Sequence, residues 1–258
     1  MNFDDVDAKM RVFETAHDVC VPPGIHVVVR LDGRNFTALT KRRDAFDPPL
    51  DAPFDVRFRD AMLATAEHCM TCGFAVAYGY TQSDEISLLL APGDATFGRK
   101  ERKLASVLAG EASAAFSLAL GVHGCFDARV SQLPRRRDVV DYFRWRAEDA
   151  HRNALSAHCY WAQRREGATA KQADARLRGM SAADKNEFLF ERGVNYNDLP
   201  AWQKRGSGLW WEAYVKQGLD PRTNTAVEAE RRRVRRELEL PLREEYEALV
   251  EERIGGQV

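Results

Sequence analysis

Long apolar runs are missing from this chain: nothing in it approaches the roughly 18 consecutive apolar residues of a membrane span. Its start, Met1-Asn2-Phe3-Asp4-Asp5, is acidic and lacks the basic-then-apolar order of a secretory signal. These two absences argue against export and membrane insertion, so a cytoplasmic location with no membrane partner is expected. No repeat or low-complexity tract occurs. A charge excess is also lacking, since 38 Lys and Arg face 39 Asp and Glu for a formal net charge of -1. Any nucleic-acid partner must therefore meet a local basic surface rather than a polycation. Cysteine is sparse and odd in number, five in all. Cys69 and Cys72 form a C-x-x-C pair, but Cys20, Cys125 and Cys159 are scattered singly, so the second pair of a zinc site is absent. What remains is a composition of 45% hydrophobic and 30% charged residues over 258 positions. That suits a globular protein of one large domain or two small ones.

The first half alternates between periods of two and 3.6. Ile25 to Leu31 is a β-branched run after Pro22-Pro23-Gly24, and it ends at Asp32-Gly33. Phe58, Met62, Ala66 and Cys69 recur at helical spacing before Gly73. Phe74 to Tyr80 and Ile86 to Leu90 are two further strands, separated only by Thr81 to Glu85. Leu104, Leu108, Ala112, Phe116 and Ala119 mark a second helix closed by Gly121, and Phe126 to Ser131 is a fourth strand. The order β-α-β-β-α-β is the ferredoxin-like, split βαβ arrangement of the α+β class. It covers residues 1–136 as one domain, and residues 137–258 are expected to form a mostly helical region packed on it. In that region the run Arg231-Arg232-Arg233-Val234-Arg235-Arg236 lies in a stretch, Glu228 to Glu239, that reads as a charged amphipathic helix with a solvated face.

In a split βαβ sheet the first strand lies beside the third and runs antiparallel to it. Asp32 at the end of one and Asp84 and Glu85 at the start of the other must then converge. Carboxylates so placed repel each other, and a divalent cation such as Mg2+ would relieve them, holding substrate phosphates at the same time. Two such ions would activate an attacking hydroxyl and steady a leaving pyrophosphate. A plain turn at Asp32-Gly33 and a capped hairpin at Asp84 account for the same residues. Arg99, Lys100, Arg102 and Lys103 put four cations at the start of the second helix, where they oppose the macrodipole unless an anion is bound; a solvated basic turn is the alternative. Arg129 to Arg152 carries seven arginines against four acids, with Tyr142, Phe143 and Trp145 interleaved. That mixture suits RNA backbone and unstacked bases, and core aromatics of a helix equally well. Three functions fit these features: a nucleotidyltransferase acting on RNA, a nucleotide cyclase, and a non-catalytic RNA-binding module. The basic stretch weighs against the second and the paired acids against the third.

Several blocks in order resemble the tRNA-His guanylyltransferase family. They are Val29 to Phe36 (Val-Arg-Leu-Asp-Gly-Arg-Asn-Phe), Tyr80 to Ser87 (Tyr-Thr-Gln-Ser-Asp-Glu-Ile-Ser), Phe126 to Val130, Asp141 to Arg146 with Asp149 to Asn153, Asp184 to Glu187, and Val194 to Gly206. The resemblance implies a polymerase-type palm and addition of nucleotides to the 5′ end of tRNA, in the 3′-to-5′ direction, after the 5′-monophosphate is activated with ATP or GTP. By position it implies Asp32, Asp84 and Glu85 as catalytic residues, with Asp32, Asp84 and the Gly33 carbonyl holding two Mg2+ ions. It implies Arg30, Gly33, Arg34, Asn35, Phe36, Ser83, Lys100 and Lys103 around the nucleotide. It implies Arg129, Arg146, His151, Arg152, Asn153, Lys185, Asn186, Lys204 and Arg205 along the tRNA, and a homotetramer. The family's eukaryotic enzymes follow their histidine with Ile-Asn-Asn-Leu-Tyr-Asn. Here His151 is followed by Arg152-Asn153-Ala154-Leu155-Ser156-Ala157, which is similar to the guanylyltransferase-like branch that repairs truncated tRNA 5′ ends. Template-dependent 5′-end repair is therefore the expected activity, with dedicated addition of one G to tRNA-His as the alternative.

Overall fold

A computed structural model describes residues 2–42, 44–219, 222 and 225–255. The chain begins with helix α1 (Phe3–Thr15), capped by Asn2 and Asp5 in a reciprocal box. Strand β1 (His26–Gly33) follows, then the single turn α2 (Phe36–Leu39) and helix α3 (Val56–Thr71), whose first turn is held by the Asp55 carboxylate on the Arg57 N–H at 2.7 Å. Strands β2 (Val76–Gln82) and β3 (Glu85–Leu90) form a hairpin. Helix α4 (Glu101–Leu120) ends at Gly121, whose φ of 73° closes the C-terminus in the left-handed region, and β4 (Phe126–Leu133) completes the β-α-β-β-α-β unit.

The sheet runs β4-β1-β3-β2 across this unit, with β1 antiparallel to both neighbours, as the split βαβ topology requires. β1 is central, and Val27, Val28, Val29 and Leu31 are all fully buried because both faces of the sheet are covered. On one face α3 and α4 bury Met62, Ala66, Leu104, Leu108 and Phe116 against Val27, Val29 and Leu31. The other face receives the 30-residue helix α5 (Arg136–Arg165), which packs Val139, Val140 and Phe143 on Val28, Tyr78 and Leu89. The distal half of α5 carries the short helices α6 (Ala170–Leu177), α7 (Ala182–Phe190) and α8 (Ala201–Arg205), with Leu155, Cys159, Leu189 and Tyr196 as a separate small core.

After α8 the structure departs from the sequence expectation. Residues 228–239 are not a helix: all but the last two lie within strand β6 (Ala226–Glu237), which pairs with β5 (Ser207–Leu219) along its whole length, and β5 joins β2. The C-terminal region thus extends the sheet to six strands before closing with α9 (Arg243–Ile254). Arginine and glutamate are good helix formers, but intrinsic propensity is a small preference that tertiary context overrides. Here that preference yields to the Trp-Trp-Glu-Ala-Tyr-Val strand on which β6 docks, with Val234 partly buried against the main core.

Candidate active site

The carboxylates converge at one end of the sheet. Asp32 and Glu85 are direct register partners on β1 and β3. Asp84 stands beside them in the two-residue turn, where Ser83 adopts a φ of 54°, and the Gly33 N–H donates to the Asp84 carbonyl at 2.9 Å. Arginines hold this group from three elements. Arg30 donates to Glu85 Oε1 and lies 3.7 Å from Asp32 Oδ2. Arg129 on β4 lies 3.4 Å from the same Asp32 oxygen. Arg146, projecting from α5, donates to Glu85 Oε2 at 3.1 Å and to Asp149 at 3.2 Å, and Asp149 in turn accepts from Arg152 at 3.0 Å and Asn153 at 3.2 Å. A charged chain therefore links the sheet end to the outer helix.

Asp84 is the exception, because among the described residues no cation pairs with it. Burial pushes its carboxyl above the usual aspartate range, with the neighbouring Asp32 and Glu85 charges adding in the same direction, against hydrogen bonds from its own backbone and from Ser83. Hard oxygen donors around an uncompensated carboxylate fit a magnesium ion. No three of the described His, Cys, Asp and Glu residues form a ready-made metal cage. A cation at Asp32 and Asp84 would complete its shell with the Gly33 carbonyl and phosphate oxygens, as Mg2+ commonly does.

A stability measurement follows from this charge. A carboxyl whose folded pKa is raised binds protons more readily folded than unfolded, so the wild type loses stability as pH rises from the ordinary aspartate value through the raised one. Asp84→Asn removes that penalty. In chelator-treated protein at neutral pH the variant is expected to be more stable than wild type, and the gain should vanish at acid pH. Urea unfolding at both pH values measures this. A variant less stable at neutral pH would show that Asp84 has a compensating partner.

Beside the carboxylates opens a cavity of about 590 Å3, between the β2–β3 turn, the segment Thr37 to Phe58 and α5. Its volume is that of a nucleotide-sized pocket. Asp84, Glu85, Arg146, Asp149 and Asn153 line it, together with Lys41, Tyr160, Trp161 and an Arg59 guanidinium stacked 4.7 Å over the Trp202 ring. Lys41, Arg59, Trp161 and Trp202 were not legible as site residues in the sequence. Trp202 sits inside the Val194–Gly206 block, which was the one available signal; Arg59 reads as an ordinary helix surface residue.

The remaining expected site residues divide. Arg34 and Asn35 are exposed just beyond Gly33, and Asn35 takes a left-handed φ of 64°. The Phe36 ring is buried and stacks on Phe116 at 4.7 Å, so its side chain belongs to the core beside the cavity. Lys100 and Lys103 are not at the site. Arg99 donates to the Ile25 carbonyl at 2.6 Å, which fixes the start of α4 at the opposite end of β1 from Asp32, about 20 Å away at the rise of a strand. Lys100 pairs with Asp18 at 2.6 Å, and the Lys103 ammonium lies over the Phe97 ring. Within one chain neither reaches a phosphate held at Asp32. The helix-start cations instead serve to dock the segment before β1, whose Asp18 carboxyl is held well below the usual range by Arg102 and Lys100.

Among the residues expected along tRNA, Arg152 and Asn186 are exposed, whereas Arg146 and Lys204 are only 6% accessible. Arg146 is consumed by Glu85 and Asp149, and the Lys204 ammonium donates to the Asn197 carbonyl at 2.6 Å. Neither offers a free charge to a phosphate; both position the walls of the cavity. Arg205 accepts the Tyr80 hydroxyl on its carbonyl at 2.8 Å, and Lys185 donates to Ser156 at 3.0 Å. The carbonyl of His151 accepts from the Tyr196 hydroxyl at 2.9 Å; burial, with Lys204 and Arg205 nearby, pushes the imidazole below its ordinary pKa, so it is neutral at pH 7.

Comparison with known proteins agrees with this architecture. Residues 7–134 match a family model described as tRNAHis guanylyltransferase, and residues 137–250 one described as Thg1 C terminal domain. A Drosophila melanogaster protein named probable tRNA(His) guanylyltransferase is 34% identical over 202 residues, covering 74% of this chain and 69% of that protein. A solved bacterial tRNA(His) guanylyltransferase (Thg1)-like protein in complex with ATP superimposes with a TM-score of 0.77 at 27% identity, over 97% of this chain and 99% of that one. The same kind of protein in complex with GTP gives 0.74, again at 27% identity over 97% and 99% of the two chains.

Proposed function

Because this chain belongs to the tRNAHis guanylyltransferase family, we propose that it is a nucleotidyltransferase that adds a guanylate to the 5′ end of tRNA-His. The observation that carries the proposal is the meeting of Asp32, Asp84 and Glu85 at one end of the sheet, where Asp84 and Glu85 line a nucleotide-sized cavity. ATP and GTP, bound by the bacterial relatives of like fold, are the proposed substrates. In the first step an oxygen of the tRNA 5′-monophosphate attacks the α-phosphorus of ATP and pyrophosphate leaves. In the second the 3′-hydroxyl of GTP attacks the activated 5′-phosphorus and AMP leaves. Magnesium ions bound by Asp32, Asp84 and the Gly33 carbonyl would supply Lewis-acid stabilisation of the phosphoryl oxygens and a more acidic hydroxyl.

The chain's own residues do the positioning. Arg30 and Arg129 hold the Asp32 carboxylate from two sides, and Arg146 with Arg30 keeps Glu85 from turning. Arg129, whose side chain is 59% exposed, has donors left for a phosphate. Lys41 and Arg59 bring positive charge to the cavity wall, and the Trp202 face beneath Arg59 offers a stacking surface.

The test is incubation with 5′-monophosphorylated tRNA-His lacking its extra nucleotide, ATP, Mg2+ and labelled GTP. One labelled guanylate at the 5′ end is the expected product, and absence of incorporation overturns the proposal. Template-directed repair is the second reading, favoured by Ala154 and Ala157 where the eukaryotic motif has asparagines, and by likeness to a bacterial relative. Offering tRNAs truncated at the 5′ end with each of the four bases opposite separates the two. Addition dictated by pairing supports repair; guanylate on tRNA-His alone, whatever base lies opposite, supports the first reading.

A further inference from the structure

The arginine run of residues 231–236 changes meaning once it is a strand. On a helix its charges would wind around the axis; on β6 they alternate. Arg231, Arg233 and Arg235 share one face, and their cross-strand partners on β5 are Tyr214, Glu212 and Trp210, with Lys216 beyond them opposite Ala229. The other face of the same ribbon carries Glu228, Glu230 and Arg232 opposite Gln217, Val215 and Ala213. The first face therefore carries Lys216 and three arginines against Glu212 and Glu237, a cationic excess, whereas on the second Glu228 and Glu230 are balanced by Arg232 and Arg236.

β5 pairs with β2 only from Ser207 to Trp210. From Glu212 to Leu219 the two strands run on with no third strand paired to them among the described residues, about 25 Å at the rise of a strand. A bare two-stranded ribbon is marginal in water. The cationic face supplies its own support, with the Arg233 guanidinium 5.2 Å over Tyr214 and Arg235 5.6 Å over Trp210. Glu212 pairs with Arg233 at 2.6 Å, and Glu237 pairs with Arg235 at 2.7 Å, but each guanidinium keeps spare donors. Arg231 and Lys216 are exposed and have no ion pair or hydrogen bond among the described residues. Successive arginines stand about 7 Å apart along the strand, comparable with the step between neighbouring phosphates on one nucleic-acid strand.

We infer that the Lys216–Arg231–Arg233–Arg235 face of the β5–β6 ribbon docks the backbone of the RNA substrate at a distance from its reacting 5′ end. This inference rests on the tRNA reading above and adds the surface that carries the body of that molecule. A protein partner fits less well, because charged residues are depleted from the cores of protein interfaces and the large rings of this face, Trp210 and Tyr214, lie beneath arginines. Ser207 starts beside Thr81 at the carboxylate end of β2 and the ribbon runs away from it, so one molecule can touch both site and ribbon only if it is long.

The test compares wild type with a triple variant, Lys216→Gln, Arg231→Gln and Arg233→Gln, and a control carrying Arg231→Lys and Arg233→Lys. Affinity for 5′-truncated tRNA is measured across a salt series, alongside GTP binding and binding of a short hairpin containing only the acceptor end. The triple variant should bind tRNA about tenfold more weakly at low salt, with the slope of log K against log salt reduced by about two. The charge-keeping control should match wild type, and GTP and the short hairpin should bind all three proteins alike. An unchanged slope in the triple variant, with wild type binding tRNA, overturns the ribbon assignment alone. An unchanged slope with a smaller assembly in sedimentation assigns this face to contacts between copies instead. Wild type that binds no tRNA overturns both this inference and the proposed function.

Discussion

Asp32→Ala or Asp84→Ala is expected to lower the rate of nucleotide addition on the order of a thousandfold or more, while the far-ultraviolet spectrum and the unfolding curve stay close to wild type. Both carboxylates stand at the sheet end rather than in a core, and neither organises the fold. Without Asp32, Arg30 keeps Glu85 and Arg129 keeps Asp127 at 3.7 Å. Without Asp84, the backbone bond from the Gly33 N–H to the carbonyl at position 84 remains, and a strained charge is gone. Activity and stability should therefore separate. Incorporation of labelled GTP, measured with the unfolding midpoint on the same preparation, tests this. Turnover near wild type in either variant would remove the carboxylates from the chemistry, whatever the fold.

Gly33→Ala is expected to fail on both counts. A Cβ at this position would stand 2.5 Å from Phe36 Cδ2 and 2.7 Å from Cγ, far inside contact distance. The ring cannot give way, since it lies 4.7 Å from Phe116, 5.0 Å from Phe126 and 5.9 Å from Phe58. Overpacking of this kind costs about 1–3 kcal/mol. Whatever backbone shift relieves it moves the segment between Asp32 and the Asp84 carbonyl that Gly33 binds. Addition should drop by at least the hundredfold that a misplacement of about 1 Å can cost. A variant with wild-type melting temperature and rate would mean that the Phe36 cluster is looser than its ring distances indicate.

Much of the palm was legible in the chain itself. The β-branched run before Asp32, the helical spacing of Phe58, Met62 and Ala66, and the glycine at 121 are local signals, and each element they mark is present within two or three residues of its expected ends. The convergence of Asp32 with Asp84 and Glu85 was legible too, because a β-α-β-β-α-β order admits few sheet arrangements and the observed one puts the first strand beside the third. Other features depended on partners distant in sequence. Whether residues 226–237 form a helix or a strand is decided by β5, an open strand edge that local propensity does not contain. Arg146 and Lys204 look like surface cations from their neighbours in the chain, yet packing of α5 and α8 encloses them, and Glu85 and the Asn197 carbonyl take their donors. Lys100 and Lys103 sit on a helix whose direction was readable but whose start lies at the far end of β1. Periodicity and turn chemistry are written in near neighbours along the chain and so survive in the bare sequence. Which charge is buried, and which strand finds an edge, follow from contacts that exist only after the sheet and its two helical layers have closed.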